Sequence, residues 1–316
     1  VAWRYFGDAR TMLLGPQVLV LQVAHPVVGA GVLEHSNYRD DPWKRLFRTF
    51  LSLSTIVYAG ERGAAAESAR LRALHRDIKG VDAQGRRYHA LNPEAYLWVH
   101  ATLVQGGVDA HRILGRPLTP EQIEAYYADM REVGLVLGLR DHHLPADWRA
   151  FQDYYAEVVV TRLEDNQAVH DVIESVRRLK KPFRWIPGFL WSPVALLAGR
   201  IGDLVTAGTL PPLLRDRFGL TWSAREERRL RRFARLVRVL MALVIPPLRI
   251  AGGLAAAEWT TRSGGLTTPG SAGQRNAGPG NAGPGNAGHG DAGRPGGRRS
   301  AGAEFARHAG EPRRSA

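Results

Sequence analysis

Cysteine is missing from all 316 residues, and methionine occurs three times. The first absence removes disulfides, thiolate metal sites, iron–sulfur clusters, and haem that is cysteine-ligated or attached through C-x-x-C-H. Any metal must rest on histidine, carboxylate or a cofactor. Compartment is left open by it, because a reducing cytosol and an exported chain without bridges both tolerate zero cysteine. Acid is scarce as well: 30 Asp and Glu stand against 43 Lys and Arg, for a net charge of +13. No signal-peptide pattern is evident, since Arg4, Asp8 and Arg10 precede the first apolar run and no clear cleavage pattern follows it. The expected location is cytoplasmic, with peripheral membrane contact left open.

Alternating strand patterns are also rare, and Val158 to Val160 is too short to argue from. Helical spacing is common instead. Thr119-Pro120-Glu121-Gln122 has a cap residue, Pro at the first helical position and Gln three on. It announces a helix with Ile123, Tyr126, Tyr127, Met130 and Val133 on one face, expected to stop at Gly134. Ser223 and Glu226 form a second capping box, opening a helix with Leu230, Phe233, Ala234, Val237, Leu240, Met241 and Val244 at helical spacing, ended by Pro246 and Pro247. Trp43, Leu46, Phe47, Phe50 and Leu51 make a third stripe; Leu71, Leu74, His75 and Ile78 make a fourth. The expected fold is all-α.

From Arg262 onward, apolar residues other than alanine nearly vanish, and Asn-Ala-Gly-Pro-Gly repeats at Asn276 and Asn281. Such a segment cannot repay its ordering entropy. Residues 261–316 are therefore expected to be a disordered tail, and 1–260 a single helical domain. The tail holds eight Arg against three acids, leaving +8 on the domain. That balance fits a nucleic-acid or anionic-membrane partner, or simply an arginine-rich genome. The run from Arg225 to Arg238 lacks the interleaved aromatics of a nucleic-acid surface, and its apolar stripe explains it as a core-packed helix with a solvated back. From Thr11 to Leu33 there are 23 residues without a formal charge, long enough to cross a bilayer. Gln17, Gln22, His25 and Pro26 in its middle favour a buried helix lining a cavity.

Four groups of residues could carry chemistry. His75 projects from an apolar helix face, either as a core histidine or as a ligand of a flat, apolar cofactor that needs one neutral imidazole. Arg45, Arg48, Thr49 and Ser52 fall at i, i+3, i+4 and i+7, opposite the Trp43 stripe; they form either a solvated face or a row of donors for acidic groups. His25, Glu34, His35 and His100 could build a non-haem metal site, although their spacing follows no standard ligand pattern. His142 and His143 are expected to end a helix before Pro145, near its C-terminal dipole.

Several strings occur in order: Leu21-Gln-Val-Ala-His25-Pro26, Gly31-Val-Leu-Glu34-His35-Ser36, Arg45-Leu-Phe-Arg48-Thr49, Leu74-His75-Arg-Asp-Ile78-Lys-Gly80, Tyr88-His-Ala90, and Pro93 through Leu103. Together they resemble the catalytic domain shared by rubber oxygenases (latex clearing proteins) and MpaB-type oxygenases. The likeness covers roughly Val1 to Trp222 and is dense only up to Leu103. It implies a helical domain with a globin-like core, haem b held by a proximal histidine, and cleavage of isoprenoid C=C bonds with dioxygen. By motif, His75 would be the iron ligand, Arg45 and Thr49 the family's essential Arg and Thr beside the haem, and Glu34 a candidate for its distal glutamate base. Arg45 and Arg48 would also face the haem propionates. Arg48 departs from the family, where a lysine can occupy the sixth iron position; arginine stays protonated and cannot donate a lone pair to iron. The implied partners are dioxygen and an apolar, prenyl-type substrate. A haem-binding protein without turnover, or a sensor, has the same residues.

Overall fold

Helices with apolar faces make up nearly all of the architecture, as the scarcity of alternating patterns implies. The computed structural model describes residues 2–36, 42–183, 185–244 and 246–263, which belong to one compact unit, Val1–Pro269. The tail expected over 261–316 lies, from 264 onward, outside the described residues. In chain order the helices are α1 (Ala2–Tyr5), α2 (Ala9–Leu13), α3 (Gly15–Ala24), α4 (Pro26–His35), α5 (Pro42–Tyr58) and α6 (Gly60–Arg76). A hairpin of β1 (Lys79–Val81) and β2 (Arg87–His89) follows, then α7 (Pro93–Leu114), α8 (Pro120–Leu137), α9 (Trp148–Thr161) and α10 (Gln167–Arg177). The rest are α11 (Gly188–Thr209), α12 (Pro212–Arg217), α13 (Ala224–Leu243) and α14 (Pro246–Arg262).

The uncharged segment divides into two helices. His25 adopts an extended conformation and Pro26 opens α4, so the chain turns by 103° between α3 and α4. The buried-helix expectation holds for α3, whose Val20, Leu21, Val23 and Ala24 are enclosed by Trp98, Ala101 and Val104 of α7, Met130 of α8 and Val169 of α10. The Trp98 indole N–H donates to the Leu21 carbonyl at 2.8 Å, so the largest core side chain leaves no buried donor unpaired. A smaller cluster joins Leu114 of α7 to Leu230, Ala234 and Val237 of α13, which is the stripe expected there.

Both capping boxes form, at Thr119 and Ser223. Helix α8, however, runs through Gly134 to Leu137 and ends at Gly138, which is left-handed with φ +101°. Gly134 serves packing instead: a Cβ there would lie 3.1 Å from Nε2 of His100. A glycine that admits a neighbouring ring and a glycine that ends a helix look alike in sequence. Helix α13 does end before the two prolines, but Pro246 then opens α14. The valines at 158–160 sit in α9.

The Trp43 stripe packs only in part, with Leu51 buried and Trp43 and Phe50 half-buried. Phe47 is 59 % exposed and Leu46 49 %, while the buried side of α5 is Leu51, Ser52, Ser54, Thr55 and Ile56. Helix α14 packs along that side, with the Thr55 and Thr260 hydroxyls 2.6 Å apart. Small polar residues let α14 approach closely, so the most apolar face of α5 is not the one that packs. Ser52, read as part of the cationic face, is buried against α6.

Candidate functional site

Helices α5 and α6 pack as a hairpin. At their contact the buried Glu67 accepts the Ser52 hydroxyl and two hydrogen bonds from Arg70, at 2.8 and 2.6 Å. The Arg70–Glu67 pair lies within α6 and holds the carboxylate in place, and the Ser52 hydroxyl ties that carboxylate to α5. The last turn of α6 carries His75.

His75 is half-buried, and its Nδ1 is enclosed without a hydrogen-bond partner. The ring meets Tyr96 of α7 edge-to-face, with centroids 6.0 Å apart. Burial lowers its pKa from the ordinary 6.5, and the guanidinium groups of Arg70 and Arg45 push the same way against the Leu71 carbonyl. The ring is therefore neutral at pH 7 and keeps a lone pair.

Three more elements converge beside it. Ile78, three residues on, lies against Gly31 of α4. Arg45, in the first turn of α5, donates to the Ser36 hydroxyl at the end of α4. Tyr88 of β2 donates its O–H to Oε2 of Glu34 at 2.6 Å, and its oxygen lies 3.0 Å from Nε2 of His35. With the tyrosine proton on Glu34, His35 must be the donor in the second bond. Burial, and then the bond to Glu34, push Tyr88 up to about 12, so it remains protonated across working pH.

Arg45 thus lies close enough to His75 for its charge to act on the ring, while Glu34, exposed near the end of α4, is bound to Tyr88. Arg48, half-buried, and Thr49, exposed, follow Arg45 on α5. The structure does not assemble the four-residue metal site. His100 is fully enclosed beside the Met130 carbonyl and is driven down to about 4 by burial; His25 sits at the α3–α4 corner, also lowered by burial. Among the described residues no group of three or more metal-binding side chains occurs. His142 and His143 meet edge-to-face and end a short 3₁₀ helix, Asp141–His143, just before Pro145, as expected, although the helix is a 3₁₀ turn rather than an α-helix. Two open clefts lie elsewhere: one of about 640 Å³ around His170, Asp171 and Asp203, and one of about 600 Å³ around Gln17, Asp109 and Arg238.

Sequence reasoning assigned no role to Tyr88 or Tyr96. Both lie in the strings that carry the resemblance, but their partners are 54 and 21 residues away, a distance that no local pattern reports.

A donor set of one neutral imidazole fits haem better than a bare ion, which needs three or four side-chain ligands. The enclosed Nδ1 of His75 and the nearby Arg45 cation fit the proximal side of such a group.

Two uncharacterized proteins, Mb2261 of Mycobacterium bovis and Rv2237 of Mycobacterium tuberculosis, are each 29 % identical to this chain over 237 residues, covering 74 % of it and 89 % of the relative. No solved structure matches. The profile described as "ER-bound oxygenase mpaB/B'/Rubber oxygenase, catalytic domain" matches residues 3–239. Spanning most of the chain and every residue gathered around His75, that match shows that the chain belongs to the mpaB/rubber oxygenase catalytic-domain family.

Proposed function

We propose that this protein is a haem b-dependent oxygenase that cleaves a C=C bond of an apolar, prenyl-type substrate with dioxygen. The observation that carries this reading is His75: a neutral imidazole on the last turn of α6, beside Arg45 and next to the end of α4. When bound there, haem supplies the redox chemistry with dioxygen that the side chains of this chain lack. Overall, one alkene and one dioxygen give two carbonyl groups, so both oxygen atoms are accounted for and no external reductant is consumed.

The chain's own residues then have separable tasks. His75 would hold the iron. Arg45 and Arg48 would supply fixed positive charge for the propionates, and Arg48, always protonated, would offer no lone pair to a metal. Glu34 holds a carboxylate in place through Tyr88, ready to accept a proton, while Tyr88 itself stays protonated. Thr49 orients groups near the reacting centre by its hydroxyl.

Oxygen uptake by the haem-loaded full chain, with prenyl alkenes of increasing length, tests the reading. It expects uptake coupled to carbonyl products that carry both atoms of labelled dioxygen. Haem-replete protein that consumes no oxygen with any such alkene would contradict oxygenase function and leave a haem-binding protein.

A further inference from the structure

Past the end of α10, the surface stops looking like that of a protein in water. Trp185 is 78 % exposed and Phe189 77 %, and Leu190, Val194, Leu196 and Leu197 are also exposed. Phe183 and Trp185 stack on each other with centroids 5.9 Å apart. Full burial of one such side chain recovers roughly 2 to 3 kcal/mol, so a contiguous group left in water marks a contact surface.

Charge identifies the occupant. Residues 175–202 contain no acid and six cations, Arg177, Arg178, Lys180, Lys181, Arg184 and Arg200, of which Arg177 pairs with Asp203 and Arg178 with Glu174 just outside this stretch. Arg178, Lys180, Lys181 and Arg200 are exposed and flank the aromatic residues in sequence. A second copy of this chain would bring one cationic rim against another. An anionic lipid surface complements the rim and accepts the aromatics below it, adding about 1 kcal/mol per cation near the headgroups.

Depth follows from how α11 packs. The helix is long and apolar enough to cross a membrane. Its second half is committed elsewhere, with Gly199, Val205, Thr206 and Ala207 buried and Asp203 paired to Arg177 at 2.7 Å. A Cβ on Gly199 would lie 2.4 Å from the Arg177 carbonyl, so the two helices touch backbone to backbone. The exposed apolar side chains in the first half of α11 lie within residues 188–198, where Trp191 is packed on the body; this is about 15 Å of helix against a hydrocarbon core of about 30 Å. That length enters one leaflet and stops.

We propose that Phe183 and residues 185–197 form a membrane-docking surface, inserting the first half of α11 into one leaflet of an anionic bilayer while the neighbouring cations meet the headgroups. The segment is fixed to the rest of the molecule: Trp191 meets Trp43 of α5 edge-to-face at 6.3 Å, and the Trp43 indole donates to the Lys180 carbonyl at 2.6 Å. Trp43 is two residues before Arg45, so docking places the lipid surface beside the end of the molecule that carries His75. Lipid docking at this surface needs no haem.

The test is co-sedimentation of the full chain with sucrose-loaded vesicles, either pure phosphatidylcholine or phosphatidylcholine with phosphatidylglycerol. The arginine-bearing tail also attracts anionic lipid, so the apolar variant is decisive. Wild type should pellet with the anionic vesicles, and the double variant Trp185→Ser/Phe189→Ser should partition at least about tenfold less, with an unchanged circular dichroism spectrum because both side chains are exposed. Equal partitioning of variant and wild type, or no pelleting of wild type, overturns the proposal. So does a wild-type dimer in solution that this variant converts to monomer, which would assign the surface to self-association.

Discussion

Tyr88 ties two residues of α4 to the hairpin, and removing its hydroxyl separates packing from hydrogen bonding. Tyr88→Phe keeps the buried ring but takes the donor from Glu34 and the acceptor from His35. The expected cost is about 1 to 2 kcal/mol of unfolding free energy, measured by urea titration; an unchanged midpoint would mean that the bridge contributes no stability. His75 shows how far the sequence reaches at this scale. Its apolar face was legible from Leu71, Leu74 and Ile78, and that spacing also admitted a plain core histidine. What narrows the choice is long-range: the ring of Tyr96 and the charge of Arg45. Neither follows from local spacing, whereas the ordered strings of the family motif pointed to the same residues without giving a reason.

At the scale of elements, two substitutions test how the helices are set. Thr119→Ala removes the side-chain half of the α8 capping box and should cost about 1 kcal/mol, visible as a lower melting temperature; no change would mean that the cap is redundant with Pro120. Gly199→Ala must push the Arg177 carbonyl away, because the obstruction is backbone and not a movable side chain. It should destabilise by about 1 to 3 kcal/mol, and a neutral or raised melting temperature would contradict the close α10–α11 contact. Helix existence and the caps were legible in the sequence because they are local chemistry. The packed face of α5 was not, because Ser52, Ser54 and Thr55 are buried for closeness to α6 and α14 while Phe47 stays outside. The hairpin was missed for a related reason: strands of three residues are too short to show a period.

For the molecule as a whole, buried neutral histidines give stability a definite pH dependence. His100 titrates near 4 when folded and takes up its proton at the ordinary 6.5 when unfolded. Between these values the unfolded chain binds more protons, so stability rises with pH through the window and is fully present above 6.5. The contribution is about 3 kcal/mol, from a difference of about 2.5 pH units. His100→Gln should flatten the urea midpoint between pH 4 and 6.5, and an equally steep profile in the variant would assign the dependence to other groups. The all-α body and its family were readable from the chain alone; the apolar, acid-free stretch at 183–197 was equally present in the sequence, but only the packing of the second half of α11 distinguishes a docking segment from a core helix.

The central claim is that His75 holds a haem, and the most direct measurement is the pyridine haemochrome content of the full chain and of His75→Ala, each expressed with haem precursor. About one haem b per chain in wild type, lost in His75→Ala while the helical circular dichroism spectrum is kept, is the expected result. Haem retained at the same stoichiometry in His75→Ala would contradict the assignment of the ligand, and a well-folded wild type that binds none would contradict the account of the site.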